Sequence, residues 1–364
     1  MKYLRNIFKI IFLSALLFIS SCSEGPTGPG TSSFNWSTST PEEQGMNSQL
    51  LAEALAQGEN RGFVDCILVI RNGYIVAEEY YNGFGKEIAH NVKSVSKSFL
   101  SAMTGIALRD GHLDNLNLKM LDFFSEYVYP SIDPRKHDIT IKNLLMMRMG
   151  IDNDHNLYEY VYNRFNWIKT TIELPLINDP GTEFFYNTFQ THLLSAIITK
   201  ASGMNTMDFA KENLLEKMNI ECAEWQRDVQ GYYFGGNNMY FTPRNMARLG
   251  YLYMNNGKLN GEQIVPAEWV DESLTNYTNW NNSTWGDLDD VNYGYLWWLG
   301  KINNYKAFLA IGYGGQFVIN FPDLNLIVVT TADWHLDWDI ADQHERSILS
   351  IVANYIVPAA NQLR

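Results

Sequence analysis

The chain has 364 residues, 46% of them hydrophobic and 14% aromatic, enough to fill one large core or two. A formal net charge of −13 and the lack of any lysine or arginine block argue against nucleic acid as a partner. Three cysteines are too few for a disulfide-stapled scaffold.

The N-terminus joins a basic start, Lys2, Arg5 and Lys9, to an apolar run from Ile10 to Ile19 that is too short for a comfortable membrane span. It reads as a cleaved export signal. Ile19-Ser20-Ser21-Cys22 resembles the lipobox of bacterial lipoproteins, which implies that Cys22 is lipidated, becomes the new N-terminus and anchors the chain to a membrane. The implied location is the bacterial cell envelope, at the periplasmic face or the outer membrane; an ordinary signal peptide with an incidental cysteine is the plainer alternative. Residues 23–40 begin with a Gly/Pro/Ser/Thr stretch that has nothing to bury and read as a flexible tether, leaving 41–364 as the folded domain. Cys66 and Cys222 sit beside apolar residues and read as buried free thiols, with a single bridge between them as the alternative.

Ser48 to Gln57 reads as an N-terminal helix. Cys66 to Ile70 and Tyr74 to Tyr81, split by Asn72-Gly73, carry the strongest short-range hairpin signal. Strand-like runs recur near the other end, at Tyr293 to Leu299, Ala307 to Ile311, Gln316 to Phe321 and Leu326 to Thr331, and a final helix from Gln343 to Ile356 should stop before Pro358. Helical patterns dominate between them, over roughly 110–275. The expected class is α+β, with an antiparallel sheet built from both chain ends, flanked by helices and carrying a mostly helical insertion.

Apolar Val95, Phe99, Leu100, Met103, Ile106 and Ala107 recur at helical spacing after Ser94, and Gly111 marks a stop. Ser94 and Lys97 are three positions apart, so their side chains share one face. A serine hydroxyl needs a neighbouring base to attack a carbonyl, and a lysine serves only when neutral; the first helical turn and partial burial both disfavour its charge. The Ser94 N–H, at a helix start, suits a developing oxyanion. About one Ser-x-x-Lys is expected by chance in such a chain, so a helix cap followed by a solvated lysine is the competing explanation for this motif taken alone.

Two further segments add context. Pro180-Gly181-Thr182 to Tyr186-Asn187-Thr188 forms a turn before an apolar helix that ends at Ala201-Ser202-Gly203, and Gly312-Tyr313-Gly314-Gly315 lies where a late strand should line a cleft. With Ser94-x-x-Lys97 in front, this order resembles the serine β-lactamase-related family: class C β-lactamases, D-alanyl-D-alanine peptidases and the esterase and 6-aminohexanoate-dimer hydrolase branch. The resemblance spans nearly all of the chain after the tether and implies a β-lactamase/transpeptidase-like fold, with Tyr186 as the family tyrosine that moves the proton between Ser94 and the leaving group. It implies that Gly312-Tyr313-Gly314 is a degenerate Lys-Thr-Gly strand without its cation, with an oxyanion-donating N–H near Gly314 or Gly315. The stretch from Gly235 to Gly250, which contains Asn238, resembles the family segment over the cleft.

Thr188 stands where class C β-lactamases have an asparagine, and the cation that holds a β-lactam or peptide carboxylate is absent. An ester, or a neutral or oligomeric amide, is therefore the expected substrate, handled by a serine hydrolase without metal or organic cofactor. A β-lactamase or D-Ala-D-Ala peptidase is the first alternative, and a non-catalytic binding lipoprotein of the same fold is the second. Tyr158, Tyr162, Trp167 and Asn238 are candidates for the pocket wall, with core packing the competing role for the aromatics. The chain has no Gly-x-Ser-x-Gly elbow and no His-Glu-x-x-His pattern. Met146-Met147-Arg148-Met149-Gly150 stands where many relatives have Thr-Ser-Gly, and Arg148 has no explanation at this level.

Overall fold

The computed structural model describes residues 34–153, 155–278, 280 and 283–361, except the side chains of residues 155 and 156. The chain enters the fold at β1 (Ser37–Thr38), then forms α1 (Ser48–Arg61), β2 (Val64–Arg71) and β3 (Tyr74–Tyr80). The β2–β3 turn uses Asn72 and Gly73 at φ 52° and 82°, the mirror-image turn that matches strand twist. A short strand, β4 (His90–Asn91), leads into the long helix α2 (Val95–Arg109).

The middle holds α3 (Ile141–Leu145), α4 (His155–Tyr162), α5 (Trp167–Glu173), α6 (Thr188–Ser202), α7 (Thr206–Ala210) and α8 (Pro243–Met254). Between them β5 (Glu224–Trp225) and β6 (Met239–Phe241) pair with β4, and β7 (Lys258–Leu259) and β8 (Glu262–Gln263) form a small hairpin. After α9 (Ala267–Ser273) come β9 (Thr284–Trp285), β10 (Leu288–Tyr293), β11 (Trp298–Ile302), β12 (Tyr305–Gly312), β13 (Gln316–Phe321) and β14 (Leu326–Ala332). The chain closes with α10 (Trp338–Ile351), a wide π turn and α11 (Val357–Ala359).

The main sheet has nine strands in the order β1-β3-β2-β14-β13-β12-β11-β10-β9, antiparallel except for the β1–β3 pair. Early β2 and late β14 lie side by side at its centre, in register from Leu326↔Arg71 to Thr331↔Cys66. The class is α+β, with one sheet closed by distant parts of the chain. Cys66, Leu68 and Ile70 of β2 face the core shared with α2, α6 and α8, whereas Ile67 and Val69 face the core shared with α1 and α10. Burial on both faces is why this strand reads as an unbroken apolar run.

Three expectations need correction. The proposed tether over 23–40 does not extend through residues 34–40: Phe34 and Trp36 pack on Tyr251 at ring-centroid distances of 5.3 and 5.4 Å, Trp36 Nε1–H donates to the Arg244 carbonyl, and β1 pairs with β3. Two aromatics supply apolar surface that outweighs the polar residues around them. Tyr293 to Leu299 is not one strand but the end of β10, a turn and the start of β11. The last helix does not stop before Pro358, because the wide turn at Val352–Ile356 precedes it and the proline takes an early position of the final turn. The export signal, the lipobox with Cys22 and residues 23–33 lie outside the described residues. Cys66 and Cys222 are both free thiols, the first buried and the second partly so.

Candidate active site

Helix α2 is buried along nearly its whole length, and Ser94, half-buried, stands at its N-cap with a side chain that makes no capping hydrogen bond. The entry is tightly held. Lys93 takes φ +50°, its N–H donates to Asn91 Oδ1 at 3.0 Å, and its carbonyl accepts from the Ser96 N–H at 3.1 Å and from Ser96 Oγ at 2.7 Å. Asn91 is itself pinned through Nδ2 by Asn238 Oδ1 at 2.9 Å.

Lys97 is 1% exposed. Its Nζ lies 2.8 Å from Ser94 Oγ, 2.7 Å from the Gly236 carbonyl and 3.2 Å from Thr188 Oγ1. None of these neighbours is a carboxylate, so no opposite charge offsets the cost of burying the ammonium, and burial pushes the Lys97 amine well below its ordinary pKa. The two side chains that the three-residue spacing placed on one face are thus in direct contact, and the amine is biased towards its neutral form.

Tyr186 lies across Lys97, with Nζ 4.9 Å from its ring centroid, and Ser94 is close enough to its phenol to oppose in part the effect of burial on it. Burial raises the phenol's pKa above its ordinary value, so it keeps its proton at neutral pH. Trp298 and Tyr293 hold the ring at centroid distances of 5.5 and 6.1 Å. The next residue, Asn187, caps α6 by accepting from the Phe189 N–H at 2.9 Å and ties to the Asp152 carbonyl at 2.8 Å. Tyr186 and Thr188 are therefore presented by a helix start, as Ser94 is. Gly236 closes the constellation: a Cβ there would lie 2.2 Å from Thr191 Oγ1 and 2.8 Å from the Thr188 carbonyl, so only glycine lets the turn before β6 pass α6 closely enough to aim its carbonyl at Lys97.

The strand end at Gly312 reaches the same place. A Cβ on Gly312 would lie 2.3 Å from the Val92 carbonyl and 3.2 Å from Lys93 Cβ, so this backbone lies directly against the approach to Ser94. The expectation for the oxyanion donor needs correction, because the Gly314 N–H donates to Glu345 Oε1 at 2.9 Å and the Gly315 N–H to the Gly312 carbonyl at 3.2 Å. The Gly314 amide ties the hairpin turn to α10 and the Gly315 amide closes the turn between β12 and β13. Among the described residues, the N–H groups of Ser94 and Tyr313 make no hydrogen bond. Tyr313 was passed over in the sequence because its side chain, which donates to the Leu336 carbonyl, draws attention away from its amide.

Of the proposed wall residues, Tyr158 and Tyr162 stack at 5.8 Å, and Tyr162 accepts from Gln226 Nε2, which is linked in turn to Asn238. Trp167 is 3% exposed and packs against Phe189 and Phe234, so it belongs to the core and not to the wall. Asn238 acts on the Ser94 entry through Asn91. Arg148 is a strut whose guanidinium binds the carbonyls of Gly181 and Tyr277 and so steadies the turn before Tyr186. Thr188 and Gly236 were visible in the sequence, but nothing there marks them as neighbours of Lys97.

A family model described as Beta-lactamase matches residues 47–349. The chain belongs to the Beta-lactamase family. Among curated relatives, a 6-aminohexanoate-dimer hydrolase from Paenarthrobacter ureafaciens is 24% identical over 329 residues, covering 81% of this chain and 80% of that protein. Solved structures include EstCE1, a hydrolase with promiscuous acyltransferase activity, at TM-score 0.67, 14% identity and 86% and 98% coverage of the two chains. The octameric penicillin-binding protein homologue from Pyrococcus abyssi follows at TM-score 0.66, 17% identity and 87% and 78% coverage. These structures share the family fold, and the curated relative is a hydrolase.

Proposed function

We propose that this Beta-lactamase family member is a serine hydrolase that cleaves an ester or amide through an acyl-enzyme on Ser94. The observation that carries the reading is the 2.8 Å contact between Ser94 Oγ and an amine buried without a counter-ion. In the first step Ser94 Oγ bonds to the substrate carbonyl carbon while its proton passes to the neutral Lys97 amine. The N–H groups of Ser94 and Tyr313 take the oxyanion. Collapse breaks the bond to the leaving group, which receives a proton from Tyr186; Lys97 returns the proton to the phenol. Water then adds to the acyl-enzyme by the same route, releasing the acid and restoring Ser94. Tyr186, kept protonated by burial, acts as a hydroxyl relay and not as a standing phenolate.

Intact-mass measurement on the full chain, after brief exposure to a p-nitrophenyl ester, a cephalosporin and a fluorophosphonate, tests this directly. An adduct on Ser94 that is absent from Ser94→Ala is expected, and Lys97→Ala should lower turnover by about two to four decades. Full turnover in either variant would rule the mechanism out.

A further inference from the structure

Lys93 stands immediately before the nucleophile and takes no part in the chemistry above. Its φ of +50° is a conformation that a non-glycine residue keeps only where its surroundings over-determine it. The hydrogen bonds through Asn91 and Ser96 supply that constraint and aim the side chain along the strand end at Gly312. Its Nζ lies 3.5 Å from the centroid of the Trp334 ring. No charged neighbour acts on it: burial is the sole influence on its pKa and draws it down to about 8, and among the described residues its ammonium N–H groups find no acceptor. The nearby carboxylate of Asp333 is turned to the N–H and ring of His335, at 2.9 and 3.2 Å.

The surroundings of this cation are aromatic. Trp334 stacks on His335 at 3.6 Å, and Tyr313 packs on Trp338, which is 68% exposed. A ring face offsets part of the cost of half-burying an ammonium, but it accepts none of the three N–H bonds. A carboxylate supplies both the charge and the acceptors. With a net charge of −13 the molecule as a whole does not attract anions, so any preference for one must come from a local cation of this kind.

We propose that the cleft takes esters or amides that carry a carboxylate, with Lys93 receiving that group and the Trp334 and Trp338 rings flanking the adjoining hydrocarbon. This rests on the Ser94 acyl-enzyme reading and narrows its substrate class. It also revises the expectation of a neutral substrate: the cation missing from Gly312-Tyr313-Gly314 is supplied by the residue before the nucleophile.

The experiment compares kcat/KM on the full chain for two charged esters against neutral phenyl and p-nitrophenyl butyrate. Mono-p-nitrophenyl glutarate carries the carboxylate on the acyl side, and 4-butyryloxybenzoate carries it on the leaving side. At pH 7 at least one charged ester should be preferred over its neutral counterpart. That ratio should fall by about tenfold or more in Lys93→Met and be largely kept in Lys93→Arg. Taking the ratio cancels any effect that either variant has on Ser94 itself. Ratios unchanged in Lys93→Met, or lost equally in Lys93→Arg, would overturn the role of Lys93, while a Ser94 adduct formed with the neutral ester would leave the acyl-enzyme intact. Absence of any Ser94 adduct would overturn both.

Discussion

Lys97 and Glu345 are ionisable groups buried without a counter-ion, and burial drives each towards its neutral form from opposite directions. For Lys97 this favours the neutral form that the proposed mechanism requires of it. Glu345 is 7% exposed, accepts the Gly314 N–H, and has its carboxyl pKa raised by burial from 4.5 to about 8. The folded protein then holds a proton that the unfolded chain releases, so its contribution to stability is complete below pH 4.5 and is lost as the pH rises through about 8. Relative to Glu345→Gln, which keeps an acceptor but cannot titrate, the thermal midpoint of the unaltered protein should therefore fall across this window, a comparison in which the opposite slope contributed by Lys97 cancels. Equal slopes in the two proteins would count against a protonated Glu345. At this scale Ser94 and Lys97 were legible as candidates from side-chain chemistry and spacing, and Tyr186 only through the resemblance to the family. The sequence did not reveal Glu345, Lys93 or the Tyr313 amide, whose roles depend on what lies opposite them.

Among the elements, two helix starts, a glycine turn and a glycine-ended strand converge on one point. Helix α2 delivers Ser94 and Lys97, α6 follows Tyr186 and begins with Thr188, and Gly236 and Gly312 allow the turn before β6 and the end of β12 to come within contact distance. A methyl group at Gly236 would displace either its own carbonyl or Thr191. Gly236→Ala should accordingly lower kcat/KM by about two decades or more, because small misplacements of a catalytic group are amplified in the rate. Gly85→Ala, where a Cβ meets nothing within 4 Å, should change neither activity nor stability noticeably. A Gly236→Ala enzyme with wild-type kinetics would show that the carbonyl contact to Lys97 is dispensable. Helix α2 was legible from its apolar spacing and its stop at Gly111, and the β2–β3 hairpin from Asn72-Gly73. The Tyr293 to Leu299 run misled because an aromatic-rich turn and a strand have similar local composition, and only pairing with β12 separates them.

The molecule as a whole is closed by its ends. β2 and β14 meet at the centre of the sheet, α1 and α10 cover one face, and residues 34–40 brace β3 and α8. Removing residues 34–40 should cost about 2 to 4 kcal/mol in chemical denaturation, from lost burial of Phe34 and Trp36, the Trp36 hydrogen bond and the β1–β3 pairing. If denaturation of a chain starting at residue 41 matched that of one starting at residue 34, the segment would be a tether after all.

Local chemistry determined much from the sequence alone: the α+β class, the helix after Ser94, the hairpins and the order of the three family segments follow from spacing, turn residues and side-chain type, which act over a few positions. Tertiary structure alone decided that the Gly314 amide is engaged, that Trp167 is core, that Phe34 and Trp36 belong to the fold and that Lys93 points at an aromatic face. Each of these depends on a partner roughly twenty to more than two hundred residues away, and a contact at that separation leaves no periodicity in the chain that makes it.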